Sequence, residues 1–470
     1  MKKQNAFVGF FTGLGKGFLD IFRIFIKGDW ITRISYVIMG FGNLLRGQIV
    51  RGALFLAFEA AFIWYMITKG SYWLSMLPSL GKQGPTEEYN LILDVYVTQY
   101  HDNSFHILLY GVLTIFLIIA FVYTWRVNLS QAYAAQVCKQ EGKKIKKFKD
   151  DCKDLVDAKF YKTLLALPLT GIIVFTVLPL IFMILVAFTN YSQEFDGYIK
   201  ALFSWVGFEN FKTMFSTGGV SYGSTFLSIL GWTLVWAFFA TFSNYFLGIL
   251  VAMMINKKGI RFKKMWRTIL VMTIAIPQFI SLLFVSKMFS NTGLVNGILM
   301  NWGWIKTPIH FWESPTIARV LVILINIWVG VPYLMLISTG ILMNIPQDLY
   351  EAAKIDGANP VQQFRHITMP YMLFVTAPYL LTSFTSNMNN FNVIYLLSAG
   401  GPDNVQASGV AGTVGHTDLL ITWLFKITTG ADQKYYMASV IGILVFVVVA
   451  VITLVVYNLL PSNRNEGDFS

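Results

Sequence analysis

The sequence predicts an all-α polytopic membrane protein with about eight transmembrane helices, and three observations support this fold class. First, the 470 residues are 55% hydrophobic and 13% charged, with a mean hydropathy of +0.58, whereas soluble domains carry roughly a quarter charged residues. Second, long apolar runs without any charged residue recur along the chain. Third, basic residues collect in alternate segments between these runs.

Seven runs lack Asp, Glu, Lys and Arg and reach the roughly 20 residues that a membrane-spanning helix needs. These runs are 103–125, 163–193, 213–256, 268–286, 320–347, 366–402 and 435–463. An eighth candidate, 52–68, is interrupted by Glu59 and is flanked by Arg51 and Lys69. Long basic side chains can reach an interface from such positions, so we count it as a span. Glu59 is expected near an interface or paired with a neighbouring helix, with a proton relay as the alternative.

Three segments follow from this pattern. Residues 1–51 form an N-terminal segment that is amphipathic around 30–50. Residues 52–162 hold two spans and a basic linker, and residues 163–470 hold six closely spaced spans. The sequence therefore predicts a six-helix core preceded by two extra N-terminal spans.

The distribution of basic residues predicts the orientation. The segment 256–267 contains six bases and no acid, and 139–162 contains nine lysines against five acids. Both fall on the same face of an eight-span protein, and cytoplasmic loops are enriched in Lys and Arg. We therefore expect both termini in the cytoplasm.

Other classes of function find little support in the sequence. The net charge of +12 comes from basic residues beside apolar spans, which indicates membrane orientation rather than nucleic-acid binding.

Cys138 and Cys152 are expected to be reduced thiols in the cytoplasm. His310 and His416 are expected to be external and isolated, so no metal site is predicted. The chain lacks the pattern G-x-x-x-x-G-K-[ST], so it is not expected to hydrolyse ATP.

One polar stretch, Leu349–Tyr371, separates two of the apolar runs. Pro346 can occupy a first helical turn, and Gly357 supplies the left-handed position that ends a helix. Asn359 followed by Pro360 is typical of a new helix start. The stretch therefore predicts a helix, a tight turn and a second helix, with Ala352 and Ala353 on a low-profile face between Glu351 and Asp356. A capped loop that merely links two spans is the alternative.

Two of the charge-free runs carry polar clusters. Ser383, Asn387 and Asn390 follow i, i+4, i+7 spacing, as do Asn326, Gly330 and Tyr333, so each set is predicted to share one helical face. Amides beside aromatic rings suit a sugar, whose hydroxyl groups form hydrogen bonds while its C–H faces stack. Neither run contains a charge that would pair with an ionic substrate. Hydrogen bonds between helices are the alternative role for these amides.

The polar stretch resembles the EAA loop of binding-protein-dependent ABC importer permeases. The matching residues are Glu351-Ala352-Ala353, Gly357, and Ile367 followed by Pro370. The resemblance implies a type I importer fold and a coupling loop at about 344–370 that docks onto a cytoplasmic ATPase. It assigns this docking role to Glu351, Ala352, Ala353, Asp356 and Gly357.

The runs 320–347 and 366–402 are similar to those of the maltose/maltodextrin branch of that family. The resemblance implies a sugar site lined by Asn326, Val329, Gly330, Tyr333, Ser383, Ser386 and Asn387, to which the spacing above adds Asn390.

It further implies a bacterial cell-membrane complex with a second permease subunit, two copies of an ATPase that bind ATP and Mg²⁺, and an extracellular sugar-binding lipoprotein. The chain itself would need no cofactor. The short loop 190–224 favours a Gram-positive type. A permease for another oligosaccharide or for multiple sugars, a secondary transporter and a non-transport membrane scaffold are the alternatives.

Overall fold

The computed structural model describes residues 19–84, 86–91, 94–99, 101–192, 202–216, 221–257, 259–405, 413–430 and 433–459. The chain separates into two compact units. The first unit comprises the chain up to residue 190 together with 200–205, and the second comprises 191–199 and the chain from 206 onwards. The predicted boundary at 162 lies within a helix of the first unit.

The first unit is built mainly from helices, three of which are long and apolar enough to span a membrane. The spans are Ile49–Met76, Ser104–Gln140 and Phe160–Val186. One π-helical segment, Met66–Gly70, interrupts the first span, and another, Ile173–Val177, interrupts the third. The helices are α1 (residues 19–27), α2 (Trp30–Ile34), α3 (Phe41–Leu44), α4 (Ile49–Tyr65), α5 (Ser71–Met76), α6 (Ser104–Gln140), α7 (Phe148–Val156), α8 (Phe160–Ile172) and α9 (Leu178–Val186).

A short β-hairpin precedes α6 and departs from the all-helical prediction. Strand β1 (Thr86–Asn90) pairs antiparallel with β2 (Val95–Gln99), so that Thr86 lies opposite Gln99. The β2 sequence VYVTQ is rich in the β-branched and aromatic residues that favour strands. The predicted class is otherwise confirmed, because the spans of this unit are all helical.

Helix α6 is the axis of the first unit. Its 37 residues correspond to about 55 Å at 1.5 Å per residue, which exceeds the roughly 30 Å hydrocarbon core. Asn103 caps its first turn by accepting from the His106 N–H. Near its other end, Gln136 and Asn128 are buried and bond to the N-terminal segment. The amphipathic segment predicted around 30–50 therefore folds against α6.

Glu59 is buried in α4 and accepts a hydrogen bond from the Met39 backbone N–H at 2.8 Å. Met39 precedes α3, and it is fully buried. The carboxylate thus pairs with the backbone of the turn before α3, and not with a neighbouring helix as one of the sequence-based expectations had it.

The second unit contains one bent pair of helices and four further spans, Tyr222–Asn256, Pro315–Leu342, Pro360–Met388 and Tyr435–Asn458. Its helices are α10 (Glu209–Met214), α11 (Tyr222–Asn256), α12 (Lys263–Ala275), α13 (Gln278–Met288), α14 (Leu294–Asn301), α15 (Pro315–Leu342), α16 (Gln347–Ile355), α17 (Pro360–Gln363), α18 (Met369–Met388), α19 (Phe391–Ser398), α20 (Leu420–Thr429) and α21 (Tyr435–Leu459), with a π-helical segment Phe364–Thr368 between α17 and α18.

Helix α11 lies at the centre of the second unit and packs against α15 and α18. Two apolar clusters fix these contacts. Trp236 and Val322 belong to one cluster, and Tyr245, Leu334 and Met372 belong to the other. The helices that carry the predicted polar residues, α15 and α18, are therefore both held against α11.

The run 268–286 differs from the continuous span that the sequence predicts. Helices α12 and α13 meet at an 89° bend around Ile276 and Pro277. A proline removes a backbone N–H and disfavours helical geometry in the residue before it, which explains the break. Over the described residues, seven helices are long and apolar enough to cross a membrane, and eight spans result if the bent pair counts as one. The prediction of about eight spans is confirmed.

Candidate functional site

Helix α11 presents a buried polar face to its two neighbours. Thr241 and Tyr245 are almost fully buried, at 1% exposure, and Asn244 is 6% exposed. The Tyr245 and Thr376 hydroxyl groups lie 2.7 Å apart and join α11 to α18. The Asn244 amide donates through Nδ2 to the Ala240 carbonyl at 2.8 Å. No role was predicted for this helix from the sequence, although its polar residues within a charge-free run were a visible signal.

The predicted residues of α15 lie along the crossing with α11. Asn326 is 6% exposed, Val329 is half-buried and Tyr333 is 51% exposed. Gly330 faces Asn244 so closely that a Cβ atom built on it would lie 2.3 Å from Asn244 Nδ2. Glycine is thus required at position 330 for the helices to approach with this side chain between them.

On α18, Asn387 is held by contacts to α11. Its Nδ2 donates to Thr241 Oγ1 at 3.0 Å, and its backbone carbonyl accepts from Trp236 Nε1 at 3.0 Å. The first of these is the bond between helices that the sequence analysis gave as an alternative role. Ser386 is exposed and Ser383 is half-buried. Ser383 and Tyr333 both lie near Tyr379, which brings α15 and α18 together at this level.

The prediction that Asn390 continues the helical face of Ser383 and Asn387 is wrong. Helix α18 ends at Met388, and Asn390 is the N-cap of α19, where its Oδ1 accepts from the Val393 N–H at 3.3 Å. Asparagine is a preferred N-cap residue, and this local bond ends the helical spacing. Its Nδ2 nevertheless donates to Asn387 Oδ1 at 3.4 Å, so the two amides remain neighbours.

The polar stretch after α15 folds as the sequence predicts, into a helix, a turn and a second helix. Helix α16 ends in a Schellman motif. In it, the Ala358 N–H donates to the Ala353 carbonyl at 2.8 Å and the Gly357 N–H donates to the Lys354 carbonyl at 3.1 Å. Gly357 has φ +80°, the left-handed conformation that favours glycine.

A reciprocal capping box then starts α17. The Gln362 N–H donates to Asn359 Oδ1 at 2.9 Å, and the Asn359 N–H donates to Gln362 Oε1 at 2.8 Å. The hydroxyl groups of Tyr350 and Thr368 lie 2.8 Å apart, which ties α16 to the π-helical segment below α18. We keep the name coupling loop for residues 344–370, the range that the resemblance implies. Its own hydrogen bonds make it a defined element, which agrees both with a docking loop and with the capped link between spans that is the alternative.

The coupling loop leaves its predicted docking residues accessible. Glu351, Ala352, Asp356 and Gly357 are exposed, and Ala353 is half-buried. Ala353, Asp356 and Gly357 line a shallow cavity of about 330 Å³ together with residues of α17 and the π-helical segment. A concave surface beside exposed small residues can receive a complementary protein surface.

The two histidines considered in the sequence analysis each contact a neighbouring residue. His310 Nδ1 lies 2.9 Å from the Glu313 carboxylate, so the expectation that His310 is isolated is wrong. The backbone carbonyl of His416 accepts from Arg319 Nε at 2.8 Å. Across the part of the chain that the structure describes, no group of three or more His, Cys, Asp or Glu residues could hold a metal ion.

Spans with buried amides at their crossings and a structured helix–turn–helix loop between two of them define a polytopic membrane permease. Residues 244–465 match the family described as binding-protein-dependent transport system inner membrane component. The chain is 33% identical over 440 residues to the maltodextrin transport system permease protein MdxF of Bacillus subtilis, with 92% of this chain and 95% of the relative covered. The chain belongs to this permease family.

A second relative agrees with this assignment, and a solved structure agrees with the fold. The galactooligosaccharides transport system permease protein GanP of Bacillus subtilis is 32% identical over 435 residues, covering 92% of this chain and 97% of the relative. A crystal structure of a bacterial ABC transporter involved in alginate import aligns with a TM-score of 0.51 and 21% identity, covering 67% of this chain and 98% of that chain. This structural likeness bears on the fold alone. The chain is thus an integral membrane permease subunit.

Proposed function

We propose that this chain is the transmembrane permease subunit of an ATP-driven importer of neutral oligosaccharides, with maltodextrins as substrates. The observation that carries the proposal is its similarity over nearly the full length to the Bacillus subtilis relative whose name specifies maltodextrin. Family membership favours this function over a secondary transporter or a membrane scaffold.

The polar residues of α15 and α18 support a neutral substrate. The candidate sugar-contacting groups are the amides of Asn326, Asn387 and Asn390, the hydroxyl groups of Ser383 and Ser386, and the ring of Tyr333, with Val329 and Gly330 completing the surface. Helix α18 contains no charged residue. An ionic substrate in a low-dielectric site would need a countercharge, whereas sugar hydroxyls need donors and acceptors.

A galactooligosaccharide importer is the second candidate, because GanP is similar over the same length. Ser386 is exposed on α18, at a position where the maltose branch can carry an aromatic side chain. A smaller side chain there changes the surface available for stacking against a sugar ring, so linkage selectivity is open to test at this position.

Energy would enter through partner subunits. The complex would contain a second permease subunit, two copies of a cytoplasmic ATPase that bind ATP and Mg²⁺, and an extracellular sugar-binding lipoprotein. The exposed coupling loop, with Glu351, Ala352, Ala353, Asp356 and Gly357, would dock in a cleft of the ATPase. Both termini would lie in the cytoplasm of a Gram-positive bacterium.

The substrate is tested by uptake into proteoliposomes that contain the assembled complex and its binding protein. Maltotriose and a galactotriose are compared as radiolabelled substrates with ATP inside or outside the vesicles. The proposal expects ATP-dependent uptake of maltotriose. Uptake of galactotriose alone would establish the second candidate, and uptake of neither would contradict an oligosaccharide function.

The docking role is tested by Glu351→Lys, since Glu351 is exposed and its replacement leaves the helix intact. Leu349→Lys is the matched control, because Leu349 is 48% exposed on the same helix and lies about 200° around it from Glu351. We expect Glu351→Lys alone to abolish uptake and ATPase stimulation while the purified permease pair stays folded. Equal loss in both variants would contradict a specific role for Glu351.

A further inference from the structure

The crossing of α11 and α15 leaves almost no space between the helices. A Cβ atom on Gly248 would lie 2.7 Å from Leu334 Cβ, and one on Gly330 would lie 2.3 Å from Asn244 Nδ2. Gly248 follows Asn244 by one turn on α11, as Leu334 follows Gly330 on α15. Asn244 is therefore the polar side chain enclosed at the closest approach of the two helices.

Two amide groups at this crossing lack hydrogen-bond partners within the described protein. They are Asn244 Oδ1 on α11 and Asn326 Nδ2 on α15, both on side chains that are 6% exposed. An unpaired buried polar group costs about 1–3 kcal/mol, and the hydrocarbon core offers no water to replace the bond. The arrangement is thus costly in the conformation observed.

The neighbouring polar side chains of α11, Thr241 and Tyr245, do have hydrogen-bond partners. Thr241 accepts from Asn387, and Tyr245 bonds to Thr376, so both are paired with α18. A purely structural role for Asn244 would favour an equivalent bond across the crossing to Asn326. That bond is absent between these two described residues, because both atoms remain without a partner.

The two unpaired atoms are complementary to a hydroxyl group. Asn244 Oδ1 is an acceptor and Asn326 Nδ2 is a donor, while a hydroxyl group both donates and accepts. Asn326 and Gly330 are one turn apart on α15, and Gly330 contacts the Asn244 side chain. Both amides therefore lie within about one helical turn of the contact between Gly330 and Asn244.

Helix α15 contains a position where it can bend away from α11. Pro332 lies inside the helix, two residues after Gly330. A proline in a helix interior removes one backbone hydrogen bond and lowers the cost of a kink. Movement at this point would separate Gly330 from Asn244 and expose both amides.

We propose that Asn244 is a sugar-binding residue of the translocation path. When α15 bends away from α11, one substrate hydroxyl group donates to Asn244 Oδ1 and accepts from Asn326 Nδ2. This inference rests on the proposed oligosaccharide function, and it adds α11 to the two helices that the sequence assigned to the site.

The test compares Asn244→Leu with Ser243→Ala in proteoliposomes containing the complete complex. Leucine has a shape similar to asparagine but makes no hydrogen bond, and Ser243 is the half-buried neighbour of Asn244. The probes are maltotriose and its monodeoxy analogues. We expect Asn244→Leu to raise the KM for maltotriose about fivefold to tenfold while the complex still assembles. Ser243→Ala should resemble the wild type.

A deoxy analogue separates direct binding from a structural effect. The analogue that lacks the bound hydroxyl should show a reduced wild-type response and no further loss in Asn244→Leu. If the losses add for every analogue, or if the KM is unchanged, Asn244 does not bind sugar. Should Asn244→Leu fail to assemble, Asn244→Ala is measured in its place with the same analogues.

The same experiment distinguishes the inference from the function on which it rests. A wild-type complex that takes up neither maltotriose nor galactotriose overturns the proposed function. A wild-type complex that takes up either sugar, together with an unaffected Asn244→Leu variant, overturns the inference alone. If galactotriose is the transported sugar, its deoxy analogues replace those of maltotriose.

Discussion

The hydroxyl groups of Tyr350 and Thr368 lie 2.8 Å apart, and this bond fastens α16 to the π-helical segment that continues into α18. Both residues lie within the coupling loop. Tyr350 precedes its turn and Thr368 follows it. A force applied to the exposed side of α16 can therefore reach the base of α18 through a side-chain contact as well as through the backbone.

Tyr350→Phe should weaken coupling without preventing assembly, because it removes this bond and retains the ring. A hydrogen bond of this kind contributes about 0.5–1.5 kcal/mol, so we expect more ATP hydrolysed per sugar transported. The measurement is the ratio of uptake to ATPase activity in proteoliposomes, with Tyr371→Phe on α18 as the control. An unchanged ratio would show that the backbone alone carries the coupling.

Gly357 should be replaceable only by residues that tolerate positive φ. A Cβ atom at this position would meet no atom within 4 Å, so the penalty arises from the backbone conformation of φ +80°. Alanine should cost about 1–2 kcal/mol, and asparagine less. We expect uptake to fall in the order Gly, Asn, Ala, as measured with equal amounts of assembled complex. Equal activity of Ala and Asn variants would contradict the strain argument.

Gly330→Ala should destabilise the permease because the new methyl group would overlap the Asn244 amide. Overpacking of this kind costs about 1–3 kcal/mol. Asn244→Ala removes the three overlapping atoms, so the double variant should be less destabilised than the sum of the single variants. Thermal unfolding of the purified protein measures this coupling, and strict additivity would rule out the contact.

Asp102 should make the first unit sensitive to acid. Backbone N–H groups of Lys82 and Gln83 donate to its carboxylate at 2.8 and 3.1 Å, and they hold the pKa of Asp102 below its ordinary value of 3.8, with a further contribution from the Tyr72 hydroxyl. Its contribution to stability is thus complete above about pH 4 and is lost as the pH falls through the lowered folded pKa.

Asp102→Asn tests this dependence. The variant should unfold at a lower temperature than the wild type at pH 7, because the charge-assisted bonds are lost. That difference should begin to shrink below pH 3.8, where the carboxyl group of the unfolded chain becomes protonated, and it should disappear as the pH falls through the lowered pKa of the folded state. A difference that is constant between pH 7 and pH 3 would exclude the ionised carboxylate as the cause.

Arg46 and Asp29 form a partly buried ion pair at 2.6 Å, with side-chain exposures of 1% and 36%. Asp29→Asn keeps the helix cap but leaves the Arg46 guanidinium buried without a countercharge. Breaking a fully buried pair in this way costs about 3–5 kcal/mol, and the loss here should be smaller because water reaches the partly exposed Asp29 side chain. Thermal unfolding should show a large loss for Asp29→Asn and little change for Asp20→Asn, an exposed position on α1. Comparable effects would contradict the buried-charge explanation.

The spans and the coupling loop could be predicted because their signals are local. A charge-free apolar run specifies a membrane helix wherever the chain runs, and the residues Gly357, Asn359 and Pro360 fix a helix end and a helix start through bonds within a few residues. The predicted docking residues accordingly lie on one structured loop. Whether they contact an ATPase remains a prediction.

Helical spacing was a weaker guide to the polar site. It placed Asn326, Gly330 and Tyr333 on one continuous helix, α15. It failed for Asn390, where a side-chain cap ends the helix, and for 268–286, where Pro277 introduces the bend. At Asn390 a side-chain cap replaces a helical hydrogen bond, and at Pro277 the backbone N–H is missing. The spacing of polar residues in the sequence reveals neither effect.

The sequence by itself determined the membrane class, the number of spans, the helix–turn–helix loop between two spans and the absence of an ATP-binding pattern, because each depends on composition or on residues close together in the chain. Only the tertiary structure decided which helices meet. It set Asn244 against Gly330, Thr241 against Asn387 and the N-terminal segment against α6. Residues distant in sequence make these contacts, and close packing of specific side chains selects them among many apolar faces of similar hydrophobicity.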